Sequence, residues 1–286
     1  MNQWFRTLLI LGRVSNLPTV WSNCLAGWWL GGGGNLWKLP FLFAGLSLLY
    51  TGGMFLNDAF DEEHDRLRCP ERPIPSGRIA ARQVWRLGFG QLAAGILVLL
   101  FCGKVAVAGA VLLAFFIVLY DFTHKFFVAA PWLMGACRFW VYVIAAATGV
   151  EGVNGFTVFC GAALAVFVVG LSFVARRERT RGKVPVWPLA LLAAPLALAL
   201  VMNTDGYLPP AICISAVLGL WIVRCVRSLV LGGATNVGWI VSNLLAGIVL
   251  VDWLAVAPQI SRWLSVFVFL LLLGLTKWFQ KYVPAT

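Results

Sequence analysis

Residues 57–78 read NDAFDEEHDRLRCPERPIPSGR and follow a long apolar run. Asp58, Asp61 and Asp65 are spaced i, i+3 and i+7, so a helix would place them on one face. Asn57 lies four residues before Asp61 and shares that face. Like charges massed beside a membrane need a compensating cation. Because the donors are hard oxygens, the stretch predicts a Mg²⁺ site of the kind that bridges one or two carboxylates to substrate phosphates.

A second interpretation of the same stretch stays open. Charge runs are usually solvated, and a surface loop could pair these acids with nearby arginines. The candidate arginines are Arg66, Arg68, Arg72 and Arg78. The order of the residues favours a site, because the acids at helical spacing are followed by a proline-rich turn that fixes its arginines on a stiff backbone.

The composition identifies an integral membrane protein. The 286 residues are 61% hydrophobic and only 12% charged, which excludes a water-soluble globular domain. A net charge of +11 suits nucleic-acid binding in a soluble protein, but no nucleic-acid-binding module or set of interleaved exposed aromatics accompanies it. Basic cytoplasmic loops explain the charge, and no nucleic-acid partner is expected. The seven cysteines show no metal-ligand spacing, so neither zinc nor a disulfide is expected.

Apolar segments of about 20 residues predict a polytopic bundle of ten transmembrane helices. The predicted spans are 14–31, 39–57, 82–102, 105–121, 131–149, 156–175, 186–202, 208–230, 236–256 and 262–281. If the acidic loop is cytoplasmic, almost all basic residues fall on its side, and only Lys38, Lys104 and Arg262 lie near the other. This asymmetry predicts an even number of spans with both ends cytoplasmic, in a bacterial inner membrane.

The two halves of the acidic and basic stretch together resemble the first aspartate-rich motif of the UbiA superfamily of intramembrane prenyltransferases. The family pattern is N-D-x-x-D-x-x-x-D followed by R-P-[LI]-x-S-G-[RK], and residues 57–78 match every fixed position of both parts. The resemblance implies a single transmembrane domain over residues 1–286. Its fold is expected to be all-α, a UbiA-like polytopic bundle of nine or ten helices with the active site facing the cytoplasm.

The resemblance also implies roles for the motif residues. The three aspartates are expected to hold the Mg²⁺ of a prenyl diphosphate and, with the preceding asparagine, to be catalytic. These residues are Asn57, Asp58, Asp61 and Asp65. Diphosphate contacts are expected from the basic turn, through Arg72 and Arg78. Members of the family place an arginine and an asparagine of the first helix near the cavity, and Arg13, Asn16 and Asn23 resemble that pair.

Three residues outside the motif are further candidates for diphosphate binding. Tyr120 and Lys125 stand in the Tyr-to-Lys relation that the family shows after its fourth helix, although an interfacial tyrosine with a snorkelling lysine is the alternative. His124, in the same turn, is weighed lower, because a lone histidine is more often a satisfied polar group. Arg138 lies inside an apolar segment, where a charged side chain is a functional hypothesis by default. A structural ion pair with Asp121 is the alternative for Arg138.

The second aspartate-rich motif of the family, D-x-x-x-D after the sixth helix, is missing. Residues 175–183 read ARRERTRGK instead. This stretch, together with M-G-A-C-R at residues 134–138, resembles the divergent EboC-like branch. We hypothesise that Arg176, Arg177 and Lys183 supply positive charge where a second metal would sit, with Glu178 orienting one of them. Positive-inside topology alone is the alternative.

The predicted function is a Mg²⁺-dependent transfer of a prenyl group from a prenyl diphosphate to a small aromatic or lipophilic acceptor, with membrane lipid as the surrounding partner. Three alternatives remain open. A terpene cyclase and a polyprenyl-phosphate transferase would use the same scaffold for other chemistry. A lipid-diphosphate binding or transport protein would have kept the first motif for headgroup capture and lost turnover with the second. The sequence does not fix the prenyl chain length or the oligomeric state.

Overall fold

The fold is all-α in the part of the chain that the structure describes. In this computed structural model, that part comprises residues 3–180, 187–202, 208–230, 236–257 and 262–285. It contains thirteen α-helices and three short 3₁₀ turns and no strand. The predicted fold class is therefore confirmed.

Every predicted span contains at least one helix. The helices are α1 Gln3–Leu11, α2 Leu17–Leu30, α3 Leu39–Phe60, α4 Glu62–Arg68, α5 Ala81–Val98, α6 Lys104–Thr123, α7 Ala130–Ala146, α8 Gly155–Thr180, α9 Trp187–Leu191, α10 Ala194–Met202, α11 Leu208–Val230, α12 Val237–Val256 and α13 Arg262–Phe279. Among the described residues, six helices (α3, α5, α6, α8, α11 and α12) are long and apolar enough to cross a membrane alone. The protein is therefore an integral multi-pass membrane protein.

The seventh predicted span is not one continuous helix. It consists of α9 and α10, which are separated by a turn at residues 192–193. Pro195 has no backbone N–H to donate to the carbonyl of Leu191, four residues earlier, and its ring is accommodated only in the first turn of a helix. The break therefore follows from the proline, which the apolar composition of the segment does not reveal.

The first and last spans meet at one end of the bundle. The amide Nδ2 of Asn16, just before α2, donates to the carbonyl of Ala285 at 2.9 Å, and Ser15 Oγ donates to the carbonyl of Pro284 at 3.3 Å. Thus α13 returns to the end from which α2 starts, as an even number of passes requires. Which side of the membrane this end faces stays a prediction.

Helices α2 and α7 pack closely at the centre because glycine removes the side chain at the contact. A Cβ atom on Gly27 would lie 2.7 Å from the carbonyl oxygen of Tyr142 and 2.8 Å from the Cβ of Ala145. Small residues allow helix backbones to approach in this way in membranes. The contact fixes the positions of α2 and α7, which carry Asn23 and Arg138.

Replacing Gly27 with alanine is expected to destabilise the bundle by about 1–3 kcal/mol, because the backbone of α7 must move to admit the methyl group. Thermal unfolding of the purified protein measures this as a lower melting temperature. Gly90→Ala in α5 is the matched control, since a Cβ there meets nothing within 4 Å and alanine is the better helix former. Equal melting temperatures for the two variants would contradict the packing argument.

Candidate active site

The motif aspartates lie buried together where α3 meets α4. Asp61 is the joint between the two helices, and its N–H donates to the carbonyl of Asn57, while the N–H of Asp65 donates to the carbonyl of Asp61. The helical hydrogen-bond pattern therefore continues across the joint, and Asp58, Asp61 and Asp65 are all buried. The solvated-loop interpretation is wrong for these three aspartates. The pairing with nearby arginines that it predicts is found for Arg66, which pairs with Glu62 on the surface, and for Arg72, which pairs with Asp65.

Arg13 reaches the cluster from the turn between α1 and α2. Its Nη2 donates to Asp58 Oδ1 at 3.2 Å and to Asn57 Oδ1 at 3.3 Å. Arg13 is also the one non-glycine residue with positive φ in the described part of the chain, at φ 42° and ψ 47°. A left-handed conformation is costly for a residue with a Cβ and persists where the surroundings impose it. The strained turn thus holds a cation against the first motif aspartate.

Arg72 bridges two of the aspartates from the proline-rich turn. Its Nη1 lies 2.7 Å from Asp65 Oδ2 and 3.7 Å from Asp58 Oδ1. Burial disfavours the charged guanidinium, but Asp58 and then Asp65 favour it more strongly, so the pKa of Arg72 lies above its ordinary value. Ser76 Oγ donates to the carbonyl of Arg72 at 2.7 Å, and Gly77 adopts φ 73°. Serine and glycine of the motif thus shape the turn that aims Arg72.

Arg78 does not join the cluster. Its side chain is exposed and donates to the carbonyl of Glu71 at 2.6 Å, which closes the same turn. The geometry therefore gives Arg78 a role in the fold of the turn and does not place it against the aspartates, where a diphosphate-binding residue was predicted. Phosphate contact by Arg78 stays a prediction without geometric support.

The end of α6 supplies the groups that contact Asp61. Lys125 Nζ and His124 Nε2 each lie 3.1 Å from Asp61 Oδ1. Lys125 Nζ also donates to the carbonyl of Phe60 at 2.5 Å. Tyr120 stacks on His124 with 5.2 Å between the ring centroids. The structure thus places Lys125 in contact with a motif aspartate, and it does the same for His124, which was weighed lower, while Tyr120 packs on His124. Diphosphate binding by Lys125 and Tyr120 stays a prediction.

Arg138 belongs to a separate, deeper network. It donates to Asn23 Oδ1 at 2.7 Å and to Thr19 Oγ1 at 3.2 Å, and its guanidinium lies 5.6 Å from the centroid of the Tyr50 ring. The alternative of an ion pair between Arg138 and Asp121 is wrong, because Asp121 accepts from Asn57 instead. Contact of Arg138 with diphosphate has no support in this arrangement.

Asp252, at the centre of this network, was missed in the sequence. It accepts from Ser22 Oγ at 2.5 Å, from Tyr142 at 2.5 Å and from Asn23 Nδ2 at 2.9 and 2.7 Å. It is an isolated carboxylate inside the apolar run of α12. A charged residue within a membrane-spanning segment is a functional candidate by default, so the argument used for Arg138 applies to Asp252 as well. Asn23 links Asp252 to Arg138, so the network ties α2, α7 and α12 together.

The segment after α8 that replaces the second acidic motif is described only in part. Arg176 donates to the carbonyls of His124, Phe127 and Val128 at 3.0, 2.8 and 2.7 Å, so it holds the loop that follows α6. The predicted Arg177 and Glu178 side chains, and Lys183, lie outside the described residues. The hypothesis that this segment supplies charge to the site stays a prediction for them.

The donor set of the cluster fits Mg²⁺ chemically. Carboxylate and amide oxygens are the ligands that this ion prefers, and Mg²⁺ usually keeps several waters and takes only one or two carboxylates. The described side chains do not form a ready-made cage of three or more ligands, because the aspartates are paired with Arg13, Arg72, His124 and Lys125. The cluster therefore suits a Mg²⁺ ion that arrives bound to a phosphate group. The basic side chains that now contact the aspartates could then contact the phosphate oxygens.

The fold and the site define a class, a multi-pass helical membrane protein with an acidic cluster buried at one end of its bundle and several cations in contact with that cluster. The chain belongs to the UbiA prenyltransferase family, whose model matches residues 16–284. The resemblance seen in the motif is thereby confirmed over nearly the whole chain.

Curated relatives match over shorter segments. A digeranylgeranylglyceryl phosphate synthase from Ignicoccus hospitalis is 36% identical over 120 residues, which are 42% of this chain and 39% of the relative. A 4-hydroxybenzoate octaprenyltransferase from Acidovorax ebreus is 32% identical over 139 residues, 48% of each chain. The chain therefore spans less than half the length of these two relatives in the matches.

Solved structures share the fold. A UbiA homologue from Aeropyrum pernix superposes with a TM-score of 0.67 at 17% identity, covering 85% of this chain and 96% of that one. A homologue from Archaeoglobus fulgidus, solved with DMAPP and Mg²⁺ bound, superposes with a TM-score of 0.51 at 13% identity, covering 96% of this chain and 99% of that one. At these identities the likeness concerns the fold.

Proposed function

We propose that this protein is a Mg²⁺-dependent intramembrane prenyltransferase, which moves a prenyl group from a prenyl diphosphate to a small aromatic or lipophilic acceptor. One observation carries the proposal. The three motif aspartates are buried together at one end of the bundle, and cations from three other segments are already in contact with them. The names of the curated relatives, a glyceryl phosphate synthase and a hydroxybenzoate octaprenyltransferase, support the same class.

Three basic residues are placed to bind the diphosphate group of the prenyl donor. Arg13, Arg72 and Lys125 converge on the aspartates from different elements, so a diphosphate docked there would meet positive charge from several directions. Arginine suits bidentate contact with phosphate oxygens, and lysine suits a point contact. These groups stabilise the negative charge that develops on the diphosphate as its bond to the allylic carbon breaks.

The metal has a defined place in this scheme. Asp58, Asp61 and Asp65 are the residues that would hold Mg²⁺, which when bound neutralises diphosphate charge. The electron pair of the breaking C–O bond leaves with the diphosphate. The allylic carbon then bonds to the acceptor nucleophile, and the acceptor loses its proton.

Purified protein in nanodiscs with geranylgeranyl diphosphate and a hydroxybenzoate or glyceryl phosphate acceptor tests the proposal. We expect diphosphate release that requires Mg²⁺, stops on addition of EDTA and yields a prenylated acceptor. Glu63→Gln, which removes an exposed acid of α4 outside the cluster, is expected to retain full activity. Saturable binding of the donor without release would indicate a carrier instead, and acceptor-independent release of a cyclic hydrocarbon would indicate a cyclase.

A further inference from the structure

Asp121 is a fourth carboxylate in the cluster and is not part of the aspartate motif. It lies in the last turn of α6 and is only 2% exposed. Its Oδ1 accepts a hydrogen bond from Asn57 Nδ2 at 3.0 Å. The other end of the same Asn57 amide accepts from Arg13. The asparagine of the motif therefore links Asp121 to Arg13, and Asp58 and Asp61 are the like-charged neighbours of Asp121.

The second oxygen of Asp121 has no hydrogen-bond partner in the described part of the chain. Its Oδ2 is fully buried and makes no hydrogen bond with any residue that the structure describes. None of the ion pairs among these residues reaches Asp121, whereas each motif aspartate has at least one. A buried acceptor without a partner costs free energy, and a buried charge without one costs more. An arrangement of this kind is stable only if something else completes it.

The numbers of acidic and basic side chains in the cluster indicate which kind of group could bind the unpartnered oxygen of Asp121. Four buried carboxylates (Asp58, Asp61, Asp65 and Asp121) meet three permanent cations in this cluster, Arg13, Arg72 and Lys125. With all four ionised, the carboxylates exceed these cations by one charge. A divalent cation with oxygen ligands would satisfy that oxygen and the charge at once.

We propose that Asp121 is an additional carboxylate ligand for the divalent cation of this site, and that it serves in place of the acidic motif that is missing after α8. The inference rests on the proposed function and deepens it. It assigns the ligand set of the cation to the α3–α4 joint and the end of α6, with Asn57 holding Asp121 in position. The cluster would then supply acids from both sides of the site without any acid from the segment 175–183.

Cation binding without turnover is the test. Asp121→Asn keeps the shape of the side chain and an oxygen for Asn57, and it removes the charge and the unpartnered oxygen. In detergent-purified protein with inorganic pyrophosphate present, Mg²⁺ is titrated while the melting temperature is followed, and Mn²⁺ binding is measured by electron paramagnetic resonance. We expect Asp121→Asn to weaken both apparent affinities at least tenfold, and we expect the same of Asp61→Asn. Glu63→Gln is expected to match the wild type.

The variants separate the possible failures. If Asp121→Asn binds Mg²⁺ and Mn²⁺ like the wild type while Asp61→Asn has lost them, Asp121 is no ligand and the inference is overturned, although the proposed function stands. If the wild type binds neither ion, the inference and the proposed function fail together. Because burial of like charges opposes folding, Asp121→Asn is expected to melt no lower than the wild type without metal, which keeps a folding defect apart from a binding defect.

Discussion

Replacing Asp61 with alanine is expected to reduce diphosphate release about 10²–10³-fold, the range found when one preorganised electrostatic group is removed from an active site. Asp61 is 0% exposed and forms the joint between α3 and α4. Its Oδ1 is the shared partner of Lys125 and His124, so alanine removes a metal-binding carboxylate and also releases both groups from their positions. Steady-state release of diphosphate from geranylgeranyl diphosphate with saturating Mg²⁺ measures the loss.

A neighbouring acid provides the control for Asp61. Glu62 is the next residue, and its carboxylate pairs with Arg66 at the surface, an interaction that contributes little. Glu62→Ala should keep activity within about twofold, as expected for a surface substitution. Asp61→Asn, which preserves the shape of the side chain, should lose activity almost as completely as alanine while unfolding at nearly the wild-type temperature. Activity of Asp61→Ala above a tenth of the wild-type rate would contradict the assignment.

The acidic end of α3 could be predicted because its information is local. The i, i+3, i+7 spacing specifies one helical face whatever the rest of the chain does, and the two-part motif fixes the turn that carries Arg72. The same holds for the helices, since a span of about 20 apolar residues has few other folds in a membrane. The structure confirms both, apart from the proline break that divides the seventh span.

The residues that complete the site could not be assigned with the same certainty. Arg13 is 45 residues from Asp58 in sequence, and its contact depends on a left-handed turn that no propensity favours for arginine. Asp121 follows a predicted tyrosine, but only the packing of α6 against α3 shows that it faces Asn57. His124 was weighed low because a lone histidine is usually a satisfied polar group. Its contact with Asp61, which lies far away in sequence, places it in the site.

Long-range pairing also explains why Arg138 was given the wrong partner. An arginine inside the membrane needs a partner for its charge. From the sequence, the candidate partners for Arg138 were a bound diphosphate and Asp121. The actual carboxylate in its network, Asp252, lies on α12 and is linked to Arg138 through Asn23. Helix order in the bundle decides this pairing, and composition carries no information about it.

Removing the carboxylate of that network is expected to have the largest effect on stability in this protein. Asp252→Ala should lower the free energy of unfolding by about 3–5 kcal/mol, because three buried donors lose their acceptor at about 1–3 kcal/mol each. The side chain is 0% exposed, and its loss leaves the donors of Ser22, Asn23 and Tyr142 without an acceptor inside the bundle. Reversible unfolding in mixed detergent measures the change.

A double-mutant cycle separates the network from simple loss of volume. Asn23 bridges Arg138 and Asp252, so Arg138→Leu alone and Asp252→Leu alone each leave a buried charge without compensation. The double variant leaves none, and it should be less destabilised than the sum of the single variants by at least about 1 kcal/mol. Tyr142→Phe, which removes one donor and no charge, should cost only about 1 kcal/mol. Additive single effects would show that the two charges do not interact, and the network would then be a set of independent hydrogen bonds between α2, α7 and α12.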